Sequence, residues 1–167
     1  MKTANDWIEH LQLQKHPEGG YFKEVYRAKE LINQDALPAR FNSNRNFSTS
    51  IYYLLEKNDF SAFHRIHSDE TWHFYAGSPL RLYIIDAEGK LEMRYISNEI
   101  KPNHHLQYTV PFGCWFAAEL DNSTDFTLLG CTVSPGFDFE DFQLAEKSQL
   151  IATYPQHSEL IERLCRR

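Results

Sequence analysis

At Tyr21–Arg27, and again from Phe47 onward, apolar and polar positions fall into short strand-like segments separated by Gly, Pro, Asn and Asp. YFKEVYR (Tyr21–Arg27) sets Phe22, Glu24 and Tyr26 against Tyr21, Lys23, Val25 and Arg27, as a strand does. TSIYYLL (Thr49–Leu55) and RLYIID (Arg81–Asp86) are β-branched and aromatic, and LEMRYIS (Leu91–Ser97) alternates cleanly. LQYTV (Leu106–Val110) runs into the turn Pro111-Phe112-Gly113. CWFAAEL (Cys114–Leu120) and FTLLGCTV (Phe126–Val133) follow, joined by a bend at Asp121-Asn122-Ser123. The second of these is apolar almost throughout, which predicts a strand covered on both faces. Ser134-Pro135-Gly136 is the expected end of the β region.

Phe63–Gly77, FHRIHSDETWHFYAG, admits two readings. As a helix, the three-residue spacing of His64, His67, Glu70 and His73 would make a drifting stripe. As strands, His64 and Ile66 share one face, and Glu70, Trp72 and Phe74 another. The flanking strands favour the second: a strand, a bend near Ser68-Asp69, and another strand. The ends read as helical. Asn5 is placed to cap a helix carrying Trp7, Ile8 and Leu11, and two short helices are separated at Pro155. Residues 28–46 read as a loop, and FDFEDFQL (Phe137–Leu144) as either a strand or irregular.

Composition narrows the class. The 167 residues suit one domain, spanning 1–167. With 42% hydrophobic and 14% aromatic residues, they describe a folded chain rather than a disordered one. A net charge of −6 without a basic cluster argues against a nucleic-acid partner. Arg163, Arg166 and Arg167 do gather at the end, where a solvated helix terminus accounts for them. The three cysteines are odd in number and lack metal or disulfide spacing, which predicts a reduced, cytoplasmic location. No apolar run approaches the roughly 20 residues of a membrane span, and MKTANDWIEHLQ is too polar for a signal peptide. The expectation is a soluble protein with no membrane partner. No Ser-His-Asp grouping, phosphate loop or dinucleotide fingerprint appears.

Four separated motifs, in order, resemble one family: HPEGGYFKEVYR (16–27), FHRIHSDETWHFYAG (63–77), VPFGCWFAAEL (110–120) and GCTVSPGFDFEDF (130–142). They resemble the cupin superfamily, and more closely a branch of single-domain cupins of largely uncharacterised function. The resemblance runs from about Trp7 to Pro155. It implies an all-β, double-stranded β-helix (jelly-roll barrel) with short N- and C-terminal helices, its barrel core at about 16–142 and a helical tail at 143–167. It also implies a homodimer or higher homo-oligomer.

The cupin metal pattern has a His-x-His pair, a Glu, a later Gly, and a third His beyond a Pro-x-Gly turn. Here His64, Glu70 and Gly77 match, but Ile66 stands at the second histidine and Phe116 at the last. Two of four ligands leave a transition metal weakly held. No cofactor is therefore expected, the alternative being a divalent metal on His64 and Glu70 with His67 or His73.

In the resembled fold His64 and Glu70 point into the barrel. They read either as a self-satisfying buried pair or as a catalytic one, with His64 as acid or base and Glu70 orienting it. Tyr53, Trp72, Phe74, Trp115 and Phe116 are candidate liners for a ring-shaped ligand, with core packing as the plainer reading of each. Gln107 is a candidate polar liner. Glu24 and Arg27 are candidates at the rim, where Arg27 would clamp an anion or form a surface ion pair. The leading expectation is a metal-independent epimerase- or isomerase-like cupin acting on a sugar-like or ring-shaped polar small molecule. A metal-dependent dioxygenase or hydrolase and a non-catalytic binding or storage module are the alternatives.

Overall fold

The structure, a computed structural model, describes residues 2–121 and 126–166. Asn122 and Ser123 of the expected bend, and Arg167, lie outside the described residues. Among the described residues fourteen strands follow one helix. They are β1 (Gln14–Lys15), β2 (Tyr21–Arg27), β3 (Leu31–Ile32), β4 (Arg45–Asn46), β5 (Thr49–Glu56), β6 (Phe60–Arg65) and β7 (Asp69–Gly77). Then come β8 (Leu80–Ile85), β9 (Leu91–Ile96), β10 (His104–His105), β11 (Gln107–Val110), β12 (Trp115–Leu120), β13 (Phe126–Ser134) and β14 (Gln143–Leu144). The helices are α1 (Ala4–Leu11), α2 (Lys147–Thr153) and α3 (Ser158–Leu164).

Two six-stranded sheets, ordered β1-β2-β5-β13-β7-β11 and β10-β9-β8-β12-β6-β14, form the expected all-β jelly roll. Side chains alternating off their facing surfaces make the inner core, among them Tyr53, Leu55, Trp72, Leu82, Phe116 and Leu129. Each sheet also buries its outer face. Leu54, Phe126 and Leu128 pack against α1, and Phe63, Tyr83, Ile85 and Trp115 pack under α2 and α3. That double cover explains why β13 is apolar on both parities.

Three expectations change. The cap of α1 is Thr3 rather than Asn5, because Thr3 and Asp6 form a reciprocal box: Asp6 N–H donates to Thr3 Oγ1 at 3.2 Å and Thr3 N–H to Asp6 Oδ2 at 2.7 Å. The 28–46 loop contains the β3–β4 pair and a single 3₁₀ turn. The β region does not end at Gly136, since Phe139–Asp141 makes a 3₁₀ turn and β14 then pairs with β6. No helix among the described residues is long and apolar enough to cross a membrane.

Candidate functional site

The site begins in a turn. Between β1 and β2, residues His16–Gly20 fold back on themselves, with His16 N–H on Gly20 O at 3.0 Å and Gly19 N–H on His16 O at 3.1 Å. Gly19 adopts φ 120°, and a Cβ there would lie 2.1 Å from Phe60 O, so the turn seats against β6 only with glycine. Ala62 N–H donates to Glu18 O at 2.9 Å, Gly20 N–H to Asp59 Oδ2 at 3.0 Å, and Tyr53 O–H to Gly19 O at 2.8 Å. The turn is thereby fixed, and it drives the Glu18 side chain into the barrel.

Both oxygens of Glu18 are held from β6. Ser61 O–H donates to Oε1 at 3.0 Å, and His64 Nε2 lies 3.1 Å from Oε2. Residues three apart on a regular strand face opposite ways. Here Phe116 pairs with His64 and Ala118 with Ser61, so β6 carries one extra residue between them. That bulge turns Ser61 and His64 to the same face.

The proton count of this contact follows from its partners. His64 Nδ1 is 2.7 Å from Ala62 O, and a carbonyl only accepts, so Nδ1 carries hydrogen. Nε2 and the Glu18 carboxylate are then both acceptors unless one proton lies between them. Burial pushes Glu18 up and His64 down to about 4, which places that proton on the carboxyl. His16 is the third member, its Nδ1 accepting Glu18 N–H at 3.3 Å and lying 3.4 Å from Oε2. Accepting there leaves His16 neutral, and burial holds its pKa below the usual value.

Glu70 extends from β7 into the same cavity of about 200 Å³. Burial first, and the neighbouring Glu18 second, raise it to about 8, opposed by the Cys131 thiol. The cavity brings together five of the residues singled out from sequence: His64, Glu70, Tyr53, Glu24 and Arg27. It adds His16, Glu18, Phe22, Cys131 and the aromatics Phe137, Phe139 and Phe142, which sequence reasoning missed. His16 and Glu18 stood only within the HPEGGYFKEVYR motif, ahead of the β2 alternation, where no periodicity says which way a side chain points.

The carboxylate on the His64 imidazole is therefore Glu18, which corrects the expected His64–Glu70 pairing. Trp72 is buried in the inner core, 5.6 Å from Tyr53 and 6.3 Å from Phe116 between ring centres. Phe74 packs against that core, and Gln107 is exposed on β11 opposite His73. Trp115 faces outward under α2, with the Arg65 guanidinium 4.5 Å from its ring centre, because its parity is opposite to that of Phe116. None of these four lines the cavity. Arg27 is engaged bidentately by Glu24, at 2.9 and 2.7 Å. The expected solvated cluster at the C-terminus is also partly spent: Arg166 Nε–H donates to Glu18 O at 3.1 Å, and Nη2 bonds Asp59 and, at 2.8 Å, Phe60 O.

The donors do not fit the metal pattern. Phe116 fills one ligand position and lies 4.1 Å from the His64 ring. The proposed substitutes are directed elsewhere, His67 Nδ1 to Asp141 at 3.2 Å and His73 Nε2 to Thr132 Oγ1 at 3.1 Å. Among the described residues no three His, Cys, Asp or Glu side chains are arranged to hold a metal ion.

Comparison with known proteins agrees with the architecture. The family model described as "Cupin superfamily (DUF985)", Cupin_5, matches residues 5–145. The uncharacterized protein YML079W of Saccharomyces cerevisiae is 32% identical over 149 residues, covering 84% of this chain and 72% of its own. Protein SO0799 of Shewanella oneidensis superposes with a TM-score of 0.89 at 37% identity, covering 99% of both chains. A hypothetical protein from Leishmania major gives 0.88 at 35% identity, covering 99% of this chain and all (100%) of its own. Oxalate decarboxylase from Bacillus subtilis gives 0.53 at 15% identity over 90% of this chain and 36% of its own, a likeness of fold alone.

Proposed function

The chain belongs to the Cupin_5 (DUF985) family of the cupin superfamily, and from that premise we propose that its lumen binds a small polar, ring-shaped or sugar-like molecule and moves a proton on it. The reaction class is epimerisation or isomerisation, run by acid–base side chains. The supporting observation is that two separate proton-holding units line one cavity: the Glu18–His64 pair and the buried carboxyl of Glu70. A ligand C–H made acidic by an adjacent carbonyl gives its proton to one unit. The other returns a proton to the resulting carbanion from a different direction, so no proton is gained or lost overall. A carboxyl held near pH 8 is matched to that task at neutral pH. The cavity lies below the roughly 300–1,000 Å³ of drug-sized sites, which suits a single ring.

Proton NMR in D₂O tests this with a panel of aldoses, ketoses and their lactones. The expected result is protein-dependent deuterium wash-in beside a carbonyl, falling roughly 10²–10⁴-fold in His64→Ala and in Glu70→Gln. No wash-in with any compound, or wash-in unchanged in both variants, overturns the proposal.

We also propose a homodimer. β1 pairs only with Tyr21 and Phe22, so the rest of the β2 edge is open, and Val25 and Tyr26 there are exposed. Light scattering on the purified chain and on Tyr26→Glu tests it, with a dimer expected in the first and a monomer in the second.

A further inference from the structure

We infer that the lumen selects a small ligand bearing positive charge, an amine or a protonated one-ring base, whose cation sits against Glu70. This rests on the reading of the cavity as a small-molecule site and adds the charge of its occupant.

The charges lining the cavity leave one acid without a counterpart. Among the described residues lining the cavity Arg27 is the only guanidinium, and no lysine joins it. It is already bidentate on Glu24, and it also donates to Asn46 Oδ1 at 2.8 Å and Phe137 O at 3.0 Å. Glu18 and His64 share one proton and sum to zero wherever that proton sits. His16 accepts a backbone N–H at Nδ1 and is neutral. Glu70 remains. It is only 8% exposed, and among the described residues no N–H or O–H group bonds it, its hydrogen-bond partner being the Cys131 thiol. Asp138, half-buried, adds a further acid to the lining.

A buried carboxyl whose hydrogen-bond partner is a weakly donating thiol is poorly compensated. An incoming ammonium provides both charge and N–H donors at that spot. An incoming phosphate or carboxylate would instead meet Glu70 and Asp138, with the one lining arginine already held by Glu24. The lining also includes Phe22, Tyr53, Phe137, Phe139 and Phe142, aromatic rings of the kind that attract a cation.

Three probes of one shape separate the possibilities: benzylammonium, benzyl alcohol and benzoate, titrated into the purified protein at pH 7 by calorimetry and ligand-observed NMR. Benzylammonium is expected to bind at least about tenfold more tightly than benzyl alcohol, with benzoate weakest. Glu70→Gln should erase that preference, and Asp138→Asn should reduce it by a smaller factor. Equal or tighter binding of benzyl alcohol or benzoate overturns the charge assignment and leaves the small-molecule site standing. Absence of binding by all three at millimolar concentration overturns the charge assignment and counts against the site as well.

Discussion

Glu18 Oε2 and His64 Nε2 face each other at 3.1 Å with a single proton between them, because the other ring nitrogen is committed to Ala62 O. The pair is built from distant parts of the chain: a glycine-dependent turn supplies the acid, and a bulged strand supplies the base. Its protonation state is thus a property of the fold rather than of either residue alone.

Replacing that carboxyl by an amide separates geometry from proton transfer. In Glu18→Gln the amide N–H donates to Nε2 and its oxygen still accepts from Ser61, so stability measured in urea should stay within about 1 kcal/mol of wild type. Deuterium wash-in should nevertheless be lost. In Glu18→Ala, Ser61 and His64 both lose their partner, and the cost should rise to about 1–3 kcal/mol.

Glu70 gives stability a definite pH slope. Its folded pKa of about 8 lies above the ordinary 4.5, so it stabilises fully below about 4.5 and this contribution is lost as pH rises towards 8. His64 runs the other way. Depressed from 6.5 to about 4, it contributes above 6.5 and loses that contribution as pH falls towards 4. Urea unfolding from pH 5 to pH 8 should therefore show Glu70→Gln gaining steadily on wild type as pH rises. A constant difference would contradict the assignment.

Arg166 is expected to matter to the site although it lies near the chain's end. Its bonds to Glu18 O, Phe60 O and Asp59 clamp the turn that carries Glu18. Arg166→Ala should cost about 1–2 kcal/mol and weaken benzylammonium binding with the fold retained, as followed by circular dichroism. Arg166→Lys should restore only part of the effect, since a lysine cannot span several acceptors in one plane.

The segment that brings Phe139 and Phe142 to the cavity has its own anchor. Arg45 is buried and forks onto Asp141, at 2.7 and 2.6 Å, which holds the Phe139–Phe142 stretch in place. Asp141→Ala strands a buried guanidinium and should destabilise by about 3–5 kcal/mol in urea. Arg45→Met with Asp141→Leu removes both charges and should recover much of that loss.

Much of the barrel was legible because strand alternation survives wherever one sheet face differs from the other. β2, β5, β7 and β9 fall within a residue or so of where their alternation places them. The apolar run of β13 correctly implies cover on both faces. Legibility failed where that contrast disappears. Trp115 and Phe116 are adjacent and both buried, so alternation alone does not say which one faces the lumen, and Trp115 faces the helices. The site failed for a different reason. Glu18 sits on a turn and Ser61 beside a bulge, and neither direction is encoded by a period. His64 and Glu70 could be singled out, while the residue that touches His64 could not.

The state of the His64 imidazole decides most directly between a shared proton and an ordinary ion pair. Long-range proton–nitrogen correlation spectra of nitrogen-15-labelled protein, titrated from pH 8 downward, report it. The prediction is a neutral His64 with hydrogen on Nδ1 at pH 7, resisting protonation until pH approaches about 4. A His64 that protonates near its ordinary 6.5, or that carries its neutral hydrogen on Nε2, would contradict it.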